Sequence, residues 1–173
     1  HTVQTQLVGA YNISNVLAAV TVGMRFGVDQ DDISAALEAY QPTNNRSQFV
    51  DTGRNHLIVD AYNANPVSMM AAINNFDGQV KAGKKMVILG DMGELGRFSS
   101  EAHQRVADRL KELDMQVWLV GKQFGQTQHK SEGRTFDNVE QVIDALTHTQ
   151  IEGYTILIKA SNSMRLMKLK DVL

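Results

Sequence analysis

The densest chemistry in this chain of 173 residues is Asp60-Ala61-Tyr62-Asn63-Ala64-Asn65-Pro66, followed by Ser68. It begins where an apolar run, Leu57-Ile58-Val59, stops. A carboxylate, a phenol and two amides at a strand end suit a polar ligand such as a sugar or a base edge. The same Asx residues also suit a turn that needs no ligand, and Pro66 fits the first turn of a helix, where its missing N–H costs nothing. On spacing alone both readings stand. A second group, Gly90-Asp91-Met92-Gly93-Glu94-Leu95-Gly96, carries two carboxylates on a loop that either approaches a substrate or turns in solvent. A third, Lys159-Ala160-Ser161-Asn162-Ser163, offers an ammonium and three polar side chains ahead of an expected helix. That combination holds a carboxylate or simply caps the helix. Asn12 and Asn15 form a fourth group in the first turns of the opening helix; capping accounts for one of them more easily than for the pair.

Two nucleotide motifs are missing. Gly121-Lys122-Gln123-Phe124-Gly125 follows a strand, but Lys122 precedes Gln rather than Ser or Thr, and no upstream glycine has the spacing of a phosphate loop. It is expected to be a strand-to-helix turn. Gly90, Gly93 and Gly96 do not match the dinucleotide spacing G-x-G-x-x-G. His103 is expected to be a surface histidine, and Glu101 with Arg105 an ordinary i,i+4 pair. No catalytic group and no metal-ligand set stand out from the residues.

The elements that must position these groups alternate in type. A helix is expected over about 9–26, with Ile13, Val16, Leu17, Val20 and Met24 on one face and Gly27 at its end. A second helix, capped by Asp29 or Asp31 and reaching about Tyr40, turns Ile33, Ala36, Leu37 and Tyr40 inward. Residues 41–45 read as a linker. A hairpin follows, 47–50 with 56–60 around Asp51-Thr52-Gly53-Arg54-Asn55. Then come a helix from Pro66 to Phe76, a strand over 86–89, a helix over 100–113, a strand over 117–120, a short strand near 135–136, a helix over 138–146, a strand over 155–158 and a final helix from about Ser163. This alternation implies an α/β fold, a Rossmann-like, mostly parallel open sheet with flanking helices, preceded by a short helical segment. In such sheets ligands bind beyond the carboxyl ends of the strands, which is where the polar groups lie.

The composition excludes several classes. A net charge of −2 and a pI near 6.2 give no basic surface for nucleic acid. No apolar run approaches the ~20 residues of a membrane span, so no membrane insertion is expected. The absence of cysteine removes disulfides, thiolate metal sites and thiol nucleophiles, and is compatible with a cytoplasmic location. The chain opens abruptly on His1-Thr2-Val3-Gln4 and is expected to be a piece of a longer protein.

Taken together, Gly9-Ala10-Tyr11-Asn12-Ile13-Ser14-Asn15-Val16-Leu17-Ala18-Ala19, Asn45-Arg46, the stretch from Asp60 to Met69, the stretch from Leu89 to Gly96 and the stretch from Ile158 to Arg165 resemble the Mur ligases of peptidoglycan synthesis, in order over almost the whole chain. Tyr62-Asn63-Ala64-Asn65-Pro66 and the Gly90–Gly96 loop are similar to the family member that adds D-Ala-D-Ala to UDP-N-acetylmuramoyl-tripeptide. The resemblance implies three domains, of which residues 1–43 are the last helices of the central ATP-binding domain and 44–173 the Rossmann-like final domain. The N-terminal domain, most of the central one and its phosphate loop are then missing, and the fragment alone is expected to be inactive. The resemblance also implies ATP and Mg²⁺, both held mainly by the missing central domain. It assigns Asn12, Asn15, Arg46, Asp60, Tyr62, Asn63 and Asn65 to the nucleotide, with Asp60 at the ribose. It assigns Asp91, Glu94, Lys159, Ser161 and Asn162 to the acceptor substrate, with Lys159 at the dipeptide carboxylate. Three positions depart from the family's usual residues: Tyr11 where His is common, Ala160 where Gly is common and Met167 near an expected acidic residue. Two other functions compete: a stand-alone nucleotide- or peptide-binding module without catalysis, and another ligase of the superfamily such as a folylpolyglutamate synthase.

Overall fold

Six strands form one sheet in the order β1-β2-β6-β3-β4-β5. They are β1 (Gln48–Asp51), β2 (His56–Asp60), β3 (Lys84–Gly90), β4 (Gln116–Val120), β5 (Arg134–Phe136) and β6 (Tyr154–Lys159). Only β1 runs antiparallel, paired with β2 through the expected hairpin; every other pairing is parallel. The computed structural model describes residues 2–7, 9, 12–42, 46–80, 82–129 and 133–173. The α-helices are α1 (Ile13–Arg25), α2 (Gln30–Ala39), α3 (Pro66–Gln79), α4 (Ser99–Lys111) and α5 (Val139–His148).

The central strands are buried on both faces, which is why they read as continuous apolar runs rather than alternating ones. Leu57, Met86, Ile88, Trp118, Ile156 and Ile158 point to one face and pack with α5 and the chain's last turns. Ile58, Val87, Leu89, Val117, Leu119 and Leu157 point to the other and pack with α3 and α4. The hairpin turn is tied to the far end of the chain by Asn55. Its amide donates to the carbonyls of Ile151 and Leu173, at 2.8 and 2.7 Å, and its Oδ1 accepts from the Tyr154 N–H at 3.0 Å.

Three expectations need correction. The last segment is not an α-helix but two 3₁₀ turns, Asn162–Met164 and Leu166–Asp171, separated by Arg165 in the left-handed region at φ 55°. Leu166 and Leu169 are buried at a spacing of three, which suits a 3₁₀ turn, whose side chains repeat every third residue. Secondly, α1 carries no buried residue: Ile13, Leu17 and Met24 of its apolar face are more than half exposed. Thirdly, in α2 only Ile33 is buried, while Ala36 and Tyr40 are exposed and Leu37 is intermediate. The two helices pack on each other, with Ile33 against Gly23, and Gln4 and Gln6 of the opening segment hydrogen-bond to Glu38 of α2. The start of the expected first helix at Ala10 and Tyr11, and linker residues 43–45, lie outside the described residues. Among the described residues no helix is long and apolar enough to cross a membrane.

Candidate functional site

The polar groups gather along the carboxyl edge of the sheet, and the structure sorts them by what they touch. On one side, a cavity of about 640 Å³ opens between the α1–α2 pair and the entry to β1. Asn12, Asn15, Asp32, Arg46 and Ser47 supply its polar wall; Val16, Ile33, Leu37 and Tyr40 are among its apolar ones. Asn12 does not cap α1 with its side chain; instead its Oδ1 accepts from the Asn15 amide at 3.0 Å. Capping therefore explains neither residue, and the pair presents linked amides to the cavity. The Arg46 guanidinium lies 4.0 Å from the centre of the Tyr62 ring, a cation–π contact that fixes its direction. Next to it, Ser47 is buried and held at φ 48°, and its N–H donates to Asp60 Oδ1 at 3.3 Å. Nothing in its residue type marks Ser47 as special; only the fold reveals it.

Asp60 and Lys159 were expected at opposite substrates, and here they touch. They face each other in the parallel register of β2 and β6, and the ammonium donates to Asp60 Oδ2 at 2.5 Å. Lys159 also reaches the Asn63 carbonyl at 3.3 Å and is only 2% exposed. Of the two readings open for Asn63 and Asn65, the turn-organising one is realised. Asn63 Oδ1 accepts from the Ala64 N–H at 2.9 Å. Asn65 accepts from Ser68 N–H at 2.8 Å while Ser68 Oγ accepts from Asn65 N–H at 3.2 Å, a capping box with Pro66 in the first turn of α3.

On the other side of the edge the loop after β3 is stapled rather than free. Asp91 turns its carboxylate inward, accepting from the N–H groups of Gln123 and Phe124 at 2.9 Å each. Its expected place facing a substrate is thus taken by a structural role. The amides after β4, which looked superficially like a phosphate loop, are occupied by the protein's own carboxylate. Gly121 is required there: at φ 118° a Cβ would sit 2.3 Å from Asp91 Cγ. Ser161 Oγ donates to the Asp91 carbonyl at 2.8 Å, linking the ends of β3 and β6. Glu94, at φ 62°, and Asn162 remain exposed. Without an α-helix after Lys159, no helix dipole assists Ser161 or Asn162.

His103 is the second correction at this edge: it is fully buried, not on the surface. Ser99 O can only accept and lies 2.7 Å from Nδ1, so Nδ1 carries the proton. Met92 N–H can only donate and lies 3.0 Å from Nε2. The ring also meets Phe124 edge-on at 4.7 Å. One signal for this was present in the sequence, since His103 shares a helix face with the buried Val106, Ala107 and Leu110. Two of the three family departures have a place in the structure. Ala160 is not among the positive-φ residues, and its Cβ fits because Gly90 has none; a Cβ on Gly90 would lie 2.7 Å from it. Met167 packs, half-buried, against the core beside α5. Tyr11 lies outside the described residues. Among the described residues no three His, Asp or Glu side chains converge to hold a metal ion.

This geometry has relatives. The family described as the glutamate ligase domain of Mur ligases matches residues 45–162. The UDP-N-acetylmuramoyl-tripeptide–D-alanyl-D-alanine ligase of Bacillus subtilis is 32% identical over 96% of this chain and 39% of its own length. The ligase of the same name from Escherichia coli is 34% identical over 91% of this chain and 35% of its own length. MurF from Acinetobacter baumannii superposes with a TM-score of 0.82 at 28% identity, over 98% of this chain and 39% of that one. The chain thus spans about two fifths of the length of the curated relatives it matches. With a family match across most of its sheet domain and the same mostly parallel architecture, the chain belongs to the Mur ligase family.

Proposed function

We propose that this chain is the C-terminal part of an ATP-dependent amide ligase that joins D-Ala-D-Ala to UDP-N-acetylmuramoyl-tripeptide in peptidoglycan synthesis. In this reading residues 1–43 close a central ATP-binding domain and 44–173 form the final domain. The observation that carries the reading is the cavity where Asn12, Asn15 and Arg46 converge at the junction of the two parts, in a chain 32% identical to such a ligase. The exposed apolar stripe of α1 supports the division, because a helix that buries no residue in its own fold belongs to a larger layer.

ATP phosphorylates the tripeptide carboxylate, the amine of D-Ala-D-Ala attacks the acyl phosphate, and a tetrahedral intermediate collapses to the amide with loss of phosphate. This chain's share is to bind and orient. The amides of Asn12 and Asn15 and the apolar wall around Ile33 suit a purine; Arg46, steadied on Tyr62, meets phosphate or ribose oxygens, and Asp60 holds the Ser47 backbone from behind. Glu94, Ser161 and Asn162 border the acceptor side. Mg²⁺ would neutralise phosphate charge and, in this reading, is held mainly by the central domain of the longer protein. Nucleotide-linked substrates imply a cytoplasmic enzyme. The test is ADP release that requires both UDP-N-acetylmuramoyl-tripeptide and D-Ala-D-Ala. The longer protein should show it and this chain alone should not, since it has no phosphate loop. Ligation by the chain alone, or indifference of the longer protein to D-Ala-D-Ala, would overturn the proposal.

A further inference from the structure

The family resemblance gives the lysine at the end of β6 an ordinary place: a cation for the acceptor's carboxylate. Its surroundings argue otherwise. Lys159 is 2% exposed, its ammonium is held by Asp60 Oδ2, and its remaining reach is spent on the Asn63 carbonyl. The pairing is built into the sheet, since Asp60 and Lys159 are register partners of parallel strands. For Lys159 to meet a ligand its buried ammonium would have to abandon the Asp60 carboxylate, and an unpaired buried charge is costly. Asp60, in contrast, faces two ways. One oxygen takes Lys159 and the other takes the N–H of Ser47, a buried residue with φ 48° on the cavity wall beside Arg46. A non-glycine residue stays in that backbone region only when its surroundings hold it there.

We propose that Lys159 is a positioning residue for the nucleotide side of the site, acting through Asp60, and not a binding group for the acceptor. The ammonium fixes the carboxylate; the carboxylate fixes the Ser47 backbone; Ser47 sets the wall from which Arg46 projects. This rests on the reading that the cavity takes the nucleotide. It reverses the substrate whose binding Lys159 should control.

Steady-state kinetics of the longer ligase, with each substrate varied in turn, test it. Lys159→Met should raise the KM for ATP by roughly ten- to a hundredfold, the loss of one charge-assisted contact, with the KM for D-Ala-D-Ala within about a factor of two. Asp60→Asn should raise it similarly, and Asp60→Asn with Lys159→Met should be no worse than Asp60→Asn alone, because both act along one path. The double variant has no unpaired buried charge, so it keeps the test open if Lys159→Met fails to fold. In this chain, the Ser47 amide resonance should move in Lys159→Met. A rise in the acceptor KM with ATP unaffected, additive effects in the double variant, or a loss of stability with both KM values unchanged would each overturn the inference. An ATP KM indifferent to Asp60→Asn would instead remove the nucleotide reading of this edge, an outcome distinct from one in which Asp60→Asn is impaired and Lys159→Met is not.

Discussion

The sheet domain and the α1–α2 pair solve the same burial problem to different degrees. Five consecutive residues of β3, Met86 to Gly90, are buried, and both faces of the sheet are covered by the chain's own helices and turns. In α1 no residue is buried, and Ile13 and Leu17 are 59% and 60% exposed. Both segments have apolar periodicity; among the described residues only one is buried. The difference teaches that the site's two halves differ in what holds them. The edge formed by the ends of β3 and β6 rests on a finished core. The cavity wall made by α1 and α2 rests on Ile33, on the packing of the two helices and on hydrogen bonds from Gln4 and Gln6 to Glu38.

The largest effects should come from breaking the finished core. Ile88→Ala should destabilise the chain by about 2–5 kcal/mol in denaturant titrations, whereas Leu17→Ala should change it by no more than about 0.5 kcal/mol. A comparable cost at Leu17 would mean that α1 is as well buried as β3. Next, Gly90→Ala should cost about 1–3 kcal/mol through its collision with the Ala160 Cβ, and Ala160→Gly should recover most of that loss in a double-mutant cycle. Failure of the rescue would show that Leu166 and Met164, also near that point, set the limit instead. Asp91→Ala strips two backbone amides of their acceptor and should cost about 1–3 kcal/mol, with faster hydrogen exchange at Gln123 and Phe124.

The smallest effects belong to the surface. Two exposed carboxyls sit below their ordinary range: Asp108 through hydrogen bonds from Lys111 and then Gln104, and Glu140 through its own backbone N–H and then Lys168. A carboxyl whose folded pKa is depressed contributes stability that is present above its unfolded pKa and fades as pH falls through the folded one. Lys168→Ala should therefore flatten the acid limb of the stability–pH profile slightly and leave neutral pH almost unchanged, because exposed pairs contribute little. A marked loss at neutral pH would place Lys168 in the core's support rather than on its surface.

Much of this was legible in the residues. The apolar runs at 57–59, 86–89, 117–120 and 155–158 announced strands, and each opens into polar residues at the ligand edge. What stayed hidden was pairing at a distance. Nothing local says that β6 inserts between β2 and β3, so nothing says that Lys159 meets Asp60 from 99 positions away. Asp91 finds backbone amides rather than side chains, and amides carry no residue signature. The last turns differ from the expected helix because Leu166 and Leu169 suit a period of three as well as one of 3.6. His103 on its own suggests a surface residue, but its neighbours at 106, 107 and 110 put it on the core face. Ser47 could not have been found at all, since its role depends on its backbone angle.

In the proposed function the nucleotide is held where the helix pair meets the sheet. Arg46→Ala in the longer ligase tests it most directly, because Arg46 lines the cavity and stands on Tyr62 without belonging to either core. Losing one charge-assisted contact predicts a rise of roughly ten- to a hundredfold in the KM for ATP, with the KM for D-Ala-D-Ala within about a factor of two. An unchanged KM for ATP, or a rise confined to D-Ala-D-Ala, would contradict the account.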